Sequence, residues 1–258
     1  MGTGKKAKLS GEMLAICARV VLAGGVLCSI SAQSAKAAEL SRQSFWNSRE
    51  IASTNLSPFW KWRAVLKRYS QEMARNSGQH CASSLFGDCP YEDWRRFLAE
   101  MENNDRWSQL VAVNSFVNAR TYRTDERNWG VRDYWATPGE FMARSGDCED
   151  YAIAKYLSLK ELGWRERDLR IVVVRDSKLR AAHAVLVVTY GERRWVLDNQ
   201  NTRVDETSVV RHYQPVFSIN ETSWWHHQPD NARGEGRQPG ALSNTTKLDA
   251  TPAAAEDR

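Results

Sequence analysis

The 258-residue sequence has no apolar run long enough to cross a membrane. The stretch "VVLAGGVLCSI" has 11 residues, Val20 to Ile30, where a bilayer core needs about 20. Lys5, Lys6, Lys8 and Arg19 precede it, and "SAQSAKAAEL" follows with Ala35 and Ala37 at small-x-small spacing. Residues 1–37 are therefore expected to be a signal peptide cleaved after Ala37 or Ala38. The residues before Cys28 are "GVL", unlike the small-residue approach of a lipoprotein signal, so a lipid anchor is not expected. The mature chain is expected to be exported and soluble, with no membrane span.

An excess of one charge is missing too. The net charge of +5 belongs mostly to residues 1–37, which hold Lys5, Lys6, Lys8, Arg19 and Lys36 against Glu12. The remainder has 31 basic and 30 acidic residues, a net of +1. That argues against nucleic acid as a partner, because its binders present a clustered basic face. About 220 residues remain, enough for one domain with a real core, and no internal repeat is visible.

Cysteine is scarce, with five in the sequence. Cys17 and Cys28 leave with the signal peptide. Cys81 and Cys89, separated by "ASSLFGD", are expected to close a local disulfide in an oxidising compartment. A zinc site from His80, Cys81 and Cys89 is the weaker reading, because it lacks a clear fourth ligand. Cys148 is left as a lone thiol, either a buried structural residue or a reactive one.

Apolar residues at three- and four-residue steps predict helices from Glu39 to about Asp125. "SPFWKWRAVLKRYSQEMARN" offers Ser57 as a cap and Pro58 at the first turn, and would bury Trp62, Val65, Leu66 and Tyr69. "CPYEDWRRFLAEM" and "NNDRWSQLVAVNSFVNARTY" read as two further helices separated by the cap-rich "ENND". "RTDERNWGVRDYWATPGEF" reads as a loop, broken by Gly130, Pro138 and Gly139. From Leu169 the period changes to that of strands: "LRIVVVRD", "HAVLVVTY", "RRWVLDNQ" and "QPVFSIN". Helices followed by an antiparallel sheet predict an α+β domain over residues 38–227. Residues 228–258, rich in Gly, Pro and Ala and free of aromatics, are expected to be a disordered tail.

The stretch "SGDCEDYAIAKY" sets Cys148 among Asp147, Glu149 and Asp150. Gly146 and Asp147 are turn and cap residues, Asp150 follows Asp147 at capping-box spacing, and Gly163 marks the helix end. The thiol would then face free backbone amides and the positive end of a helix dipole, which favour the thiolate. In "HAVLVVTYGERRWVLDN", a two-residue loop of Gly191 and Glu192, read as a type II′ turn, pairs Tyr190 with Arg193 and Val185 with Asp198. His183 and Asp198 then become diagonal neighbours on one face. Cys148 as nucleophile, His183 as base and Asp198 as its orienter form a candidate catalytic set. The alternative for His183 is a satisfied core histidine, and for Asp147 and Asp150 it is helix capping alone.

"DYWATPGEF", "GDCEDYAIAKY", "HAVLVV" and "WVLDN", in that order and spacing, resemble the bacterial transglutaminase-like cysteine proteinases over about residues 55–220. The resemblance implies a papain-like, transglutaminase-type core and a periplasmic cysteine peptidase with its triad on Cys148, His183 and Asp198. It also implies calcium held by the acids flanking the nucleophile, Asp147 and Glu149, with Asp150 as a third ligand. That is physically apt, since unscreened carboxylates raise a thiol's pKa and a hard cation reverses their effect. Within the family, a large surface adhesin is cut near its N-terminus and an inner-membrane cyclic-di-GMP receptor sequesters the protease. Trp135, in "DYWATP", is the candidate contact for such a receptor, with core packing as its alternative. Acyl transfer to an amine and a catalytically silent binding module are the competing functions.

Overall fold

The computed structural model describes residues 45–75 and 90–229. The expected signal peptide, the Cys81–Cys89 disulfide, the zinc alternative with His80 and all of the expected tail except Gln228 and Pro229 lie outside these residues. A strand β1 (Ser48–Ser53) leads into helices α1 (Trp60–Arg75), α2 (Pro90–Met101), α3 (Arg106–Asn118), α4 (Asp125–Trp129), α5 (Pro138–Arg144) and α6 (Cys148–Glu161). Strands β2 (Leu169–Asp176), β3 (Ala181–Tyr190), β4 (Arg193–Leu197), β5 (Asp205–Glu206), β6 (Tyr213–Ile219) and β7 (Trp224–Pro229) follow. They form one seven-stranded sheet in the order β1-β7-β6-β2-β3-β4-β5, antiparallel at every step.

Helix α6 explains the architecture. Every residue from Asp150 to Leu159 is buried, as in a helix enclosed on all sides rather than one lying on a surface. It packs on β2 and β3 below and against α3 and α5. Trp62, Trp94, Phe141, Leu169 and Ile171 are among the side chains sealed around its own Ile153 and Leu157, each contributing about 1.5–3 kcal/mol on removal from water. The indoles keep their hydrogen bonds: Trp94 Nε1 donates to Ser158 Oγ at 2.8 Å, and Trp62 Nε1 donates to the Asn220 carbonyl at 2.9 Å. The opposite sheet face carries a smaller core of Phe45, Val172, Val174, Val185, Val187, Val196 and Tyr213.

Four sequence readings need correction. Residues 48–53 are a strand rather than part of the helical region, because β7, an aromatic-rich segment with no clear alternation, supplies its partner. Helix α1 begins at Trp60, with the Phe59 carbonyl accepting from the Arg63 amide at 3.1 Å, so Ser57 is not its cap. The segment 123–141 is not a continuous loop: it contains α4 and the first turn of α5, whose cap Thr137 accepts from the Glu140 amide. The Gly191–Glu192 loop has φ values of 59° and 61°. Two positive values make it a type I′ turn instead of type II′. Both turns have two loop residues, so the pairing of Tyr190 with Arg193 and Leu186 with Leu197 stands as expected.

Strand β7 is fixed by a buried histidine. Ser48 Oγ donates to the Phe45 carbonyl at 2.7 Å, so at its 2.7 Å contact with His227 it accepts from Nδ1–H. Nε2 then accepts from Ser218 Oγ at 2.9 Å, which is a complete set of bonds for a neutral imidazole. Burial, and then the nearby Arg170 charge, lower its pKa from 6.5 to about 3. A depressed histidine pKa means that the unfolded chain binds the proton first. The stabilisation is therefore full above pH 6.5 and is lost as pH falls toward 3. Across that window His227→Gln should flatten the fall of urea midpoints with acidification, by up to about 1.4 kcal/mol per pH unit. Identical slopes in the two proteins would contradict this role.

Candidate active site

The turn that delivers Cys148 depends on a close backbone approach. Ser145 has a left-handed φ of 65°, and a Cβ on Gly146 would lie 2.0 Å from Asp150 Oδ2, so a side chain at 146 is excluded. Asp150 is completely buried. Its Oδ1 accepts from the Ala136 amide at 2.7 Å and its Oδ2 from the Asp147 amide at 3.3 Å. Cys148 is thereby set as the first residue of α6. Its thiol donates to Glu149 Oε2 at 3.1 Å and its sulfur accepts from the Ala184 amide. Burial first, then Glu149 and Asp147, push its pKa well above the ordinary thiol value.

Strand β4 ends at Leu197, opposite Leu186, and leaves the earlier part of β3 without a partner on that side. The Ala184 amide that reaches Cys148 lies on this stretch, next to His183. His183 Nε2 lies 2.9 Å from Asp198 Oδ1, so register and diagonal contact agree with the hairpin arithmetic. Asp198 is the most heavily bonded acid of the site. Oδ1 also accepts from the Gln200 amide at 2.9 Å, Oδ2 accepts from Tyr213 Oη at 2.5 Å, and the carbonyl accepts from Asn118 Nδ2 at 2.7 Å. Burial works to raise its pKa, but the bonds and charge of His183, with Tyr213 and the Gln200 amide, outweigh burial and hold it below the ordinary value.

On the other side of Cys148, one carboxylate oxygen from each of Asp125, Asp147 and Glu149 lies within 4.8 Å of the others. Two oxygens there, Asp125 Oδ1 and Asp147 Oδ1, are buried without a hydrogen-bond partner. Burial, then the neighbouring Glu149 charge, raise Asp147 to about 10. Burial also raises Asp125 to about 6, against the pull of the Tyr134 amide. Unsatisfied buried oxygens on acids that resist ionisation fit a hard divalent cation, which supplies the missing positive charge and takes oxygen ligands. Asp125 replaces the expected Asp150 in this set. Both oxygens of Asp150 are committed to backbone amides, so it holds the turn together.

The family model described as bacterial transglutaminase-like cysteine proteinase matches residues 78–230. The chain belongs to this family. Among solved structures, it is similar to Legionella pneumophila LapG, at 28% identity over 64% of this chain and 86% of that one, with a TM-score of 0.50. The calcium-bound form of that protein matches at 27% identity over 70% and 92%, also with a TM-score of 0.50. An EGTA-treated form matches at 26% identity over 67% and 91%. No curated protein matches the chain. As a family member the chain is a cysteine peptidase with a transglutaminase-like α+β fold, and its substrate class is protein. Among the described residues no helix is long and apolar enough to cross a membrane.

Two residues of the site were not found from sequence. Asp125 lies far upstream of Cys148 and opens a short helix, where an acid reads as ordinary dipole complement. Tyr213 begins a strand and looks like core. Trp135 is half-buried against the main core, and its carbonyl accepts from Arg68.

The acid cluster carries a pH signature. Asp147 held at about 10 in the fold, against an ordinary 3.8, keeps a proton that the unfolded chain releases. In excess chelator the stabilisation should be full at low pH and decline as pH rises from about 4 toward 10. Melting temperatures should therefore fall between about pH 5 and 9 in the wild type and less so in Asp147→Asn. Parallel curves would show that Asp147 ionises normally in the fold.

Proposed function

We propose that this cysteine peptidase is an exported, calcium-dependent endopeptidase that works through Cys148, His183 and Asp198. The observation that carries the triad is the His183 Nε2 to Asp198 Oδ1 bond at 2.9 Å. It leaves Nδ1 as the free ring nitrogen on the residue adjoining Ala184, whose amide reaches the sulfur. His183 Nδ1 takes the thiol proton as the sulfur attacks a peptide carbonyl, and the first-turn amides of α6 face the developing oxyanion. Asp198 holds the ring in the required tautomer and stabilises the imidazolium. Collapse expels the amine, which receives the proton from His183, and leaves an acyl-cysteine. His183 then activates water, whose attack releases the acid and restores the thiol.

Asp125, Asp147 and Glu149 would hold the calcium ion. Bound there, the ion offsets the carboxylate field that otherwise keeps the thiol protonated. Glu149 is the decisive residue, because it is both the present acceptor of the thiol proton and a member of the acid set. Once its charge is engaged elsewhere, the proton is free to pass to His183. The calcium-bound and EGTA-treated forms of Legionella LapG support the ion's identity by likeness.

The reading places the enzyme in the periplasm and gives it a protein substrate of the surface-adhesin class. An inner-membrane cyclic-di-GMP receptor would meet the exposed edge of Trp135.

Cys148→Ala should abolish cleavage of a mixed peptide library, read by mass spectrometry, without lowering the melting temperature by more than a few degrees. Cleavage by that variant would end the mechanism. Chelator should stop wild-type cleavage and calcium restore it. The melting temperature should climb with the logarithm of calcium concentration, and Asp125→Asn should flatten that climb and raise the calcium needed for activity. Full activity in excess chelator would remove the ion from the reaction.

A further inference from the structure

We infer that Tyr213 is a positioning residue of the proposed triad, and that the irregularity in strand β6 exists to bring it there. The inference rests on the triad reading above. Strands β2 and β6 pair Val172 with Ser218 and Val173 with Phe217, and then Val174 with Pro215 and Asp176 with Tyr213. Val216 is thus an extra residue, a β-bulge. Side chains alternate between faces along a strand, so one extra residue moves everything beyond it to the opposite face. Without the bulge Tyr213 would share the face of Phe217 and Ile219, toward the helices. With it, Tyr213 shares the face of Val174, and Val174 is paired directly with His183 on β3.

The phenol arrives where it is needed. Asp198 stands just beyond the end of β4, and a cavity of about 400 Å³ borders both Asp198 and Tyr213. Close packing does not fix the carboxylate on that side. A directed bond does: Tyr213 Oη donates to Oδ2 at 2.5 Å while Oδ1 faces His183. This sets the plane of the carboxylate, and with it the direction from which His183 Nε2 is held. The tyrosine is itself fixed. Its ring lies 5.7 Å from that of His183, 4.2 Å from that of His212 and 5.9 Å, edge-on, from Trp46. Trp46 is in turn anchored by Nε1 to the Val210 carbonyl at 2.6 Å.

The test is a double-mutant cycle on the calcium-loaded protein with Tyr213→Phe, which keeps the ring and removes only the hydroxyl, and Asp198→Asn. Cleavage of a fluorogenic peptide library and alkylation of Cys148 by iodoacetamide, followed by mass spectrometry, are read in each variant. Tyr213→Phe should lower both rates about tenfold, the scale of one hydrogen bond, and should cost nothing further in the Asp198→Asn background. The His183 ring N–H proton, assigned in the NMR spectrum by its loss in His183→Gln, should exchange faster with solvent in Tyr213→Phe. Multiplying losses with an unaltered ring proton would make Tyr213 a core residue only, and unchanged rates in Tyr213→Phe alone would overturn the inference. Wild-type rates in Asp198→Asn would instead overturn the triad on which it rests, so the two failures are distinguishable.

Discussion

Negative charge crowded around a sulfur is the constraint to which the rest of the site answers. Asp125, Asp147 and Glu149 converge beside Cys148, and the thiol, still protonated, donates a hydrogen bond to Glu149. A helix N-terminus favours the thiolate by about half a unit charge, which cannot offset several carboxylates partly withdrawn from water. In the proposed function, calcium supplies the positive charge that frees the Cys148 thiol. Two buried oxygens of the same acids, Asp125 Oδ1 and Asp147 Oδ1, have no hydrogen-bond partner.

The scaffold separates the roles of the neighbouring acids by geometry. Asp150 is next but one to the nucleophile, yet it acts as a structural clamp because Gly146 leaves no room for anything else and two amides take its oxygens. Asp147 keeps one oxygen without a partner, and it and Glu149 each bring an oxygen to the cluster with Asp125. Asp198 is held below the ordinary carboxylate value because the bond and charge of His183, with the bonds from Tyr213 and the Gln200 amide, outweigh burial. The same residue type thus has its pKa raised at Asp147, by burial and the Glu149 charge, and lowered at Asp198, where the bond and charge of His183 outweigh burial.

Helix α6 connects these environments to the core. Its burial at each position from Asp150 to Leu159 extends even to Lys155, a fully buried side chain whose pKa burial lowers to about 7. The short β4 strand matters equally, because its early end frees the Ala184 amide for the sulfur. The bulge at Val216 completes the arrangement by changing the face of β6 midway.

The sequence by itself determined what repeats locally or pairs across a short loop. Helical periods located α2, α3 and α6, strand periods located β2, β3, β4 and β6, and a two-residue loop with Tyr190 opposite Arg193 placed His183 beside Asp198. The turn is type I′ where the Gly-first pattern predicts type II′, and the pairing is unaffected because both types impose the same register. Only the tertiary structure decided what depends on distant partners. Strand β1 is a strand because β7 pairs with it, and Asp125 joins the acid cluster because the chain between α3 and α5 folds back on α6. Tyr213 reaches Asp198 because one extra residue reverses its face. None of these leaves a periodic trace in the amino-acid order, since each is fixed by packing between segments many residues apart.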